Sequence, residues 1–497
     1  MNQTRVIVVT AGVMMSLFLA SMESTVVATA MPTIVSQLGG LDSYAWVFTA
    51  FMLTSTTVVP VFGKLADLYG IRSIYLVAIS IFLLGSFLCG IATSMTELII
   101  YRAVQGVGAG GLLPLAFTTI GAIFSFEQRA KMQGVFSSVW GVSAVAGPLL
   151  GGFLVDQVSW HWVFLVNLGP GLLAAGLVGF AFQERKREQA SKPVIDLPGV
   201  VLLIAGSTLL LLGLSDLSNP ISWAELAGAV ICFGMLAWVE RRAVDPIVPL
   251  RLFGQRTFAV ACGHGFAAGC AVFGVVTYIP LYAQAVLGTS ATGAGATLIP
   301  LMLGWVFASI AGSRLLLTVS YRTLAFTGMI LLVIGAALLM LPVLPGLGLV
   351  QLLIPTGLMG VGMGLSIPSF LITVQSSVNR SDLGVATSTV QFSRSIGGTF
   401  GVSIMGAVLA AGLATGLSAV GLDPASISLN SLIDPAPGSS APALDGAVRN
   451  ALAGAMTGVF LIALLGSVAA LVVTWFAPKA AARRAADAKP APAPGAE

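Results

Sequence analysis

The chain has 497 residues, 57% of them hydrophobic and only 8% charged, with a net charge of +4 and a mean hydropathy of +0.98. A soluble domain carries about 25% charged residues, so water alone cannot solvate this surface, and a string of soluble domains is excluded. The four cysteines, Cys89, Cys232, Cys262 and Cys270, show no CxxC spacing, which points to neither a disulfide framework nor a zinc site.

A spanning helix needs about 20 mostly apolar residues. Fourteen segments meet that test in chain order: 6–31, 46–63, 75–93, 98–123, 134–155, 162–182, 198–216, 224–239, 258–282, 293–313, 323–343, 349–371, 384–411 and 451–476. The first resembles a signal peptide, with Arg5 ahead of an apolar run and Ala28-Thr29-Ala30 at its end. Its length and its acidic residue, Glu23, instead read it as an uncleaved first span. Of the 23 Lys and Arg residues, all but Arg449 and Arg102 are assigned to the odd-numbered loops, their helix edges or the two termini. By the positive-inside rule both termini are expected in the cytoplasm.

Of the 19 Asp and Glu residues, only Glu23 lies well inside an apolar span. The bundle interior is therefore expected to carry one acid and one base, Glu23 and Arg102. Charged residues 183–197 form a linker, residues 412–450 the longest outer loop, and the Ala/Pro-rich tail 479–497 is expected to be disordered. A faint repeat places Gly312-Ser313-Arg314 in the slot that Gly63-Lys64-Leu65-Ala66-Asp67 fills after the second span, without the acid. Repeated six-helix halves are common in transporters. The expected division is 1–182 as one six-helix bundle, 183–257 as a linker with two extra spans, 258–478 as a second bundle, and the tail.

Four stretches carry chemistry. In Gly63-Lys64-Leu65-Ala66-Asp67-Leu68-Tyr69-Gly70-Ile71-Arg72, Gly63 and Gly70 permit a tight turn and close helix approach. Asp67 can accept hydrogen bonds from a helix N-terminus or a basic partner, and Arg72 can pair across the loop, so the cluster could latch an inner gate. Leu98, Arg102, Gln105 and Gly106 lie along the fourth span; an arginine there is costly and normally faces a cavity or a partner. Gly141 through Gly152, with Gly147, Pro148 and Gly151, is a small-residue face suited to close packing, with a proline to bend it as a hinge. The fourth stretch, Met22-Glu23-Ser24-Thr25 through Pro32, surrounds the lone acid.

Together these stretches resemble the major facilitator superfamily, and within it the fourteen-helix drug:proton antiporters. The resemblance covers essentially the whole spanning part. It implies an all-α integral membrane protein of the major facilitator fold, with 14 spans arranged 6 + 2 + 6 and both termini cytoplasmic. It implies a proton-transfer role for Arg102, and it links the Gly141–Gly152 motif to exporters rather than importers. The family usually has Asp where this chain has Glu23, and Arg where it has His161. His161 is expected in an interfacial role beside Trp160 and Trp162, and His264, inside the ninth span, as a satisfied polar residue.

Gly106-Val107-Gly108-Ala109-Gly110-Gly111 reads as GxGxxG, but a dinucleotide site needs a preceding strand, so close helix packing is expected there. No GxxxxGK[ST] occurs, which argues against ATP hydrolysis. The reading is a non-enzymatic secondary transporter in the cell membrane, exporting hydrophobic or amphipathic small molecules in exchange for protons. Export of lipids or glycolipids, or proton-coupled import, are the alternatives. It needs no metal, no nucleic acid and no cofactor beyond protons as the coupling ion. Membrane lipid is its surroundings, and the oligomeric state is left open by the sequence, a monomer being one option. Candidate substrate-cavity residues are Trp140, Phe273, Tyr278, Trp305, Phe370 and Gln391.

Overall fold

In hydrocarbon a backbone must satisfy its own hydrogen bonds, and long apolar runs with few charges do so as helices. In the computed structural model the described residues are 2–39, 43–183, 196–215, 217, 219–243, 246–248, 250–289, 291–341, 349–421 and 446–479. They form α1 (Gln3–Leu38), α2 (Tyr44–Thr57), α3 (Val59–Tyr69), α4 (Ile71–Gly90), α5 (Met95–Ile123), α6 (Phe126–Gln157), α7 (His161–Leu165), α8 (Leu168–Ala181), α9 (Leu197–Ser215), α10 (Pro220–Glu240), α11 (Leu250–Phe253), α12 (Arg256–Ala285), α13 (Ala291–Ala296), α14 (Ile299–Leu315), α15 (Tyr321–Leu338), α16 (Val350–Ser377), α17 (Leu383–Ala419) and α18 (Gly446–Trp475). Among the described residues, twelve helices are long and apolar enough to cross a membrane, and the bent pair α2–α3 brings the number to 13.

Several ends are chemically set. Ser94 accepts from the Glu97 backbone N–H at the start of α5, and Ser125 with Gln128 forms a full capping box at the start of α6. Asn219 caps α10, with Pro220 in its first turn.

Three details differ from the sequence reading. The expected span 46–63 is two helices, bent by 40° at Val58. Pro60 lies in the first turn of α3 and has no N–H to bond Thr56, which breaks the ladder there. The thirteenth segment runs on to Ala419, because its Ala/Gly/Leu-rich end extends the helix into the expected outer loop. Arg394 lies inside that segment, on the twelfth residue of α17, so the helical interior carries a second arginine besides Arg102. Most of the expected linker and outer loop, residues 184–195 and 422–445, and the tail 480–497 lie outside the described residues.

Packing divides the helices into two groups. α1, α2, α4, α5, α6 and α8 pack on one another, and α12 and α14–α18 do the same. Each group has its own apolar core, one around Tyr75, Phe82, Leu112 and Phe136, the other around Val272, Met329, Met363 and Phe460. α9 and α10 pack mainly on each other, with lesser contacts to α2 and α17. The groups meet through two equivalent junctions: α3 packs on α17, and α14 packs on α6.

Candidate functional site

The acid of α1 and the arginine of α5 meet deep in the first group. Arg102 Nη1 lies 2.6 Å from Glu23 Oε1, with the residues 1% and 2% exposed. The same nitrogen donates to Gln105 Oε1 at 2.7 Å, and Arg102 Nε donates to the Val47 carbonyl at 3.3 Å. The guanidinium carbon lies 4.1 Å from the centre of the Phe51 ring, a favourable cation–π position. Asn167 Nδ2 donates to the other carboxyl oxygen of Glu23 at 2.9 Å and to Ser86 Oγ at 3.1 Å. Gln105 Nε2 closes the network onto Ser86 Oγ at 2.7 Å.

Five segments thus converge on one ion pair: α1, α2, α4, α5 and the joint between α7 and α8. Ser86 and Asn167 were not assigned to the site from sequence; neutral polar residues in apolar helices carry no mark of which way they point. Small residues make the convergence possible. A Cβ at Gly85 would collide with the Gln105 backbone, and one at Gly106 with Thr54 Oγ1 and the Phe51 carbonyl. Gly108, Gly110 and Gly111 likewise face the backbone or side chains of α4, α2 and α3, so the GxGxxG run is a packing seam.

A second cluster joins the two groups at the end of the bundle that carries Lys64, Arg72, Arg129 and Arg251. Asp67 Oδ1 accepts from Gly384 N, and Oδ2 from Val385 N, both at 2.8 Å. These are the first free N–H groups of α17, which carry partial positive charge. The carboxylate of one group therefore caps a helix of the other. Gly63 and Gly384 permit the approach: a Cβ at either would collide with the other's carbonyl region, and one at Gly63 also with Ser388 Oγ. Gly70, with φ 94°, turns the chain between α3 and α4. Arg72 does not pair across the loop as expected; it donates to the Gly179 carbonyl at the end of α8, whose unsatisfied carbonyls attract a cation. Arg129 adds a parallel tie, donating to the Gln375 carbonyl at 3.3 Å, while Gln375 Nε2 donates to the Phe117 carbonyl at 3.0 Å.

The other expected positions scatter. α6 runs unbroken through the Gly141–Gly152 stretch. Gly151 lies against Thr29 and Val26 of α1, Gly141 against Val306 of α14, and Gly147 is buried, whereas Gly152 meets nothing. The side chain of Pro148 lies outside the described set. Trp140 and Phe273 are 44% and 38% exposed. Tyr278 donates to the Val402 carbonyl at 2.9 Å, Trp305 packs partly buried against the second core, and Gln391 is buried on α17. Phe370 is a correction: at 1% exposure it packs between the rings of His264 and Tyr321 and presents no face to a ligand. His264 is another: its Nδ1 meets Thr474 Oγ1 at 3.2 Å, but its buried Nε2 has no partner.

The sequence profile of the Major Facilitator Superfamily matches residues 13–402. The chain belongs to the major facilitator superfamily. Among the superfamily's curated members, it is 40% identical over 405 residues to the multidrug transporter protein MdtP of Bacillus subtilis (strain 168), covering 80% of this chain and 74% of that one. It is 37% identical over 403 residues to multidrug resistance protein 3 of the same strain, covering 80% and 78%. The fold matches the crystal structure of the human organic anion transporter MFSD10 with a TM-score of 0.61 at 15% identity, over 96% of this chain and 100% of that one. Superfamily membership and the apolar helices make this a multi-pass integral membrane protein.

Proposed function

We propose that this chain exports hydrophobic or amphipathic small molecules, drugs and toxins among them, in exchange for protons by alternating access. The observation that carries the reading is the buried Glu23–Arg102 pair, the one acid of the apolar spans locked onto a guanidinium. Its relatives' names as multidrug transporters agree with efflux.

In the proposed arrangement there are fourteen spans: the twelve apolar helices, the bent pair α2–α3, and α6, whose 32 residues are ample for a crossing. Residues 1–182 and 258–478 act as the two moving bodies, with 183–257 carrying the extra pair, and both termini are cytoplasmic. The Asp67 latch then closes the cytoplasmic face, and the conformation described is sealed toward the inside. Glu23, at 2% exposure, meets no bulk water in this state, so its proton must come and go when the bodies rearrange.

Protonating Glu23 removes the counter-charge of Arg102. An unpaired buried charge costs about 3–5 kcal/mol, and inverting a two-state equilibrium from 1:99 to 99:1 takes about 5.5 kcal/mol. Loss of this one pair therefore supplies a large share of what is needed to switch the transporter. The test is uphill export from proteoliposomes of a panel of hydrophobic cations and lipids, with and without an imposed pH gradient. Gradient-dependent export of the cations supports the reading. Export that ignores the gradient, or accumulation in the opposite direction, overturns it.

A further inference from the structure

Arg394 stands apart from every other charge in the helical interior. It lies eleven residues beyond Leu383, the first residue of α17, or about 16 Å along the axis, well beyond the reach of the charged end. It is only half-buried, yet its Nε is buried with no hydrogen-bond partner, and among the described residues the guanidinium forms no ion pair. Nearby groups offer no relief. His264 on α12 is within electrostatic range and brings no negative charge; its own Nε2 is buried and unpartnered. On the facing side of α12, Gly265 and Gly269 pack on α17 at Arg394 and offer it no side chain of their own. Gln391, one turn earlier on the same flank, is neutral.

A cation in a bilayer-spanning bundle is costly unless a partner or a cavity meets it. The acid of the apolar spans, Glu23, is already committed to Arg102 and Asn167 in the other group. α17 is also the helix through which the second group meets α3 and α5 of the first, so Arg394 lies on an element that borders the space between the moving bodies. A guanidinium with a free N–H donor is the chemistry that receives a planar or tetrahedral anion.

We propose that Arg394 binds the anionic head group of an amphipathic acid, a carboxylate, sulfonate or phosphate, as the orienting contact for anionic substrates of this transporter. The inference rests on the export reading and adds to it a substrate class, amphipathic anions, that a lone interior carboxylate would disfavour.

The test uses purified full-length protein and three fluorescent probes with one tail: dansyl-undecanoate, its uncharged amide, and the corresponding amine. Wild type is expected to bind the carboxylate on the order of 10- to 100-fold more tightly than the amide, the range of a charge-assisted hydrogen bond. Arg394→Gln should abolish that preference and Arg394→Lys should keep part of it. Dioctanoyl phosphatidylglycerol is the competitor that separates sources: displacement of the carboxylate probe extends the site to lipid head groups, and lack of displacement confines it to single-chain acids. Equal binding of all three probes by wild type, or an undiminished carboxylate preference in Arg394→Gln, would overturn the proposal. Gradient-driven export of the amine probe, measured in the same preparations, reports on the export reading separately, because Arg394→Gln should leave it intact.

Discussion

The two polar clusters of the first helix group are held in opposite ways. Around Glu23 and Arg102 every donor and acceptor comes from that group itself, and five segments lock together through side-chain hydrogen bonds. Asp67 instead bonds two backbone N–H groups of α17, 317 and 318 residues away in sequence and in the other group. In the proposed mechanism the first cluster changes its protonation and stays assembled, because its hydrogen bonds all lie within one body. The bonds of the second cross between the bodies, and in the proposed mechanism they part when the bodies move. In the proposed mechanism the first is the proton switch and the second the mechanical latch, and their hydrogen bonds are wired accordingly.

The sharpest way to break this comparison is with glycines that pack inside a body or between bodies. Gly85→Val drives a side chain into the backbone of Gln105 and should abolish folded, membrane-inserted protein, as seen by loss of the monodisperse peak on size-exclusion chromatography. Gly63→Val collides with Ser388 and Gly384 only when the latch is closed. It should leave yield and melting temperature near wild type while cutting transport to background. Equal loss of folding in both variants would contradict the division into bodies. Asp67→Asn keeps one acceptor of two and loses the charge. Charge-assisted bonds are worth about 1.5–3 kcal/mol, so spin labels across the charged end should report a shift of roughly tenfold or more toward the open state. The smallest effect is expected from Asn167→Ala, which removes one donor to Glu23: a destabilisation of about 1–2 kcal/mol, read from thermal unfolding of the purified protein, with the closed population unchanged.

The sequence exposed what is rare in it. A carboxylate and a guanidinium in apolar runs are conspicuous, so Glu23, Arg102 and Asp67 could be singled out, and a helix N-terminus was foreseeable as a partner for Asp67. The identity of that helix was not, because nothing local reports a contact 317 residues distant. Ser86 and Asn167 were invisible as members of the site, since neutral polar residues recur throughout the spans. Arg394 was not set apart from the loop charges because Arg380 and Asp382 open the same segment and hydropathy alone does not show how far the helix runs beyond them. Phe370 was misplaced for the reverse reason: aromatic residues in a span advertise size, not direction. The break at Val58 lay inside continuous hydrophobicity and only Pro60 marked it.

The central claim is that Glu23 is the group that trades a proton for substrate, and it is tested most directly by following pH in a weakly buffered detergent solution of the purified protein as an exported cation is added. The wild-type protein is predicted to release protons on substrate binding, and Glu23→Gln to release none while still binding the substrate. Proton release from Glu23→Gln equal to that of wild type would place the coupling on another residue and contradict the account.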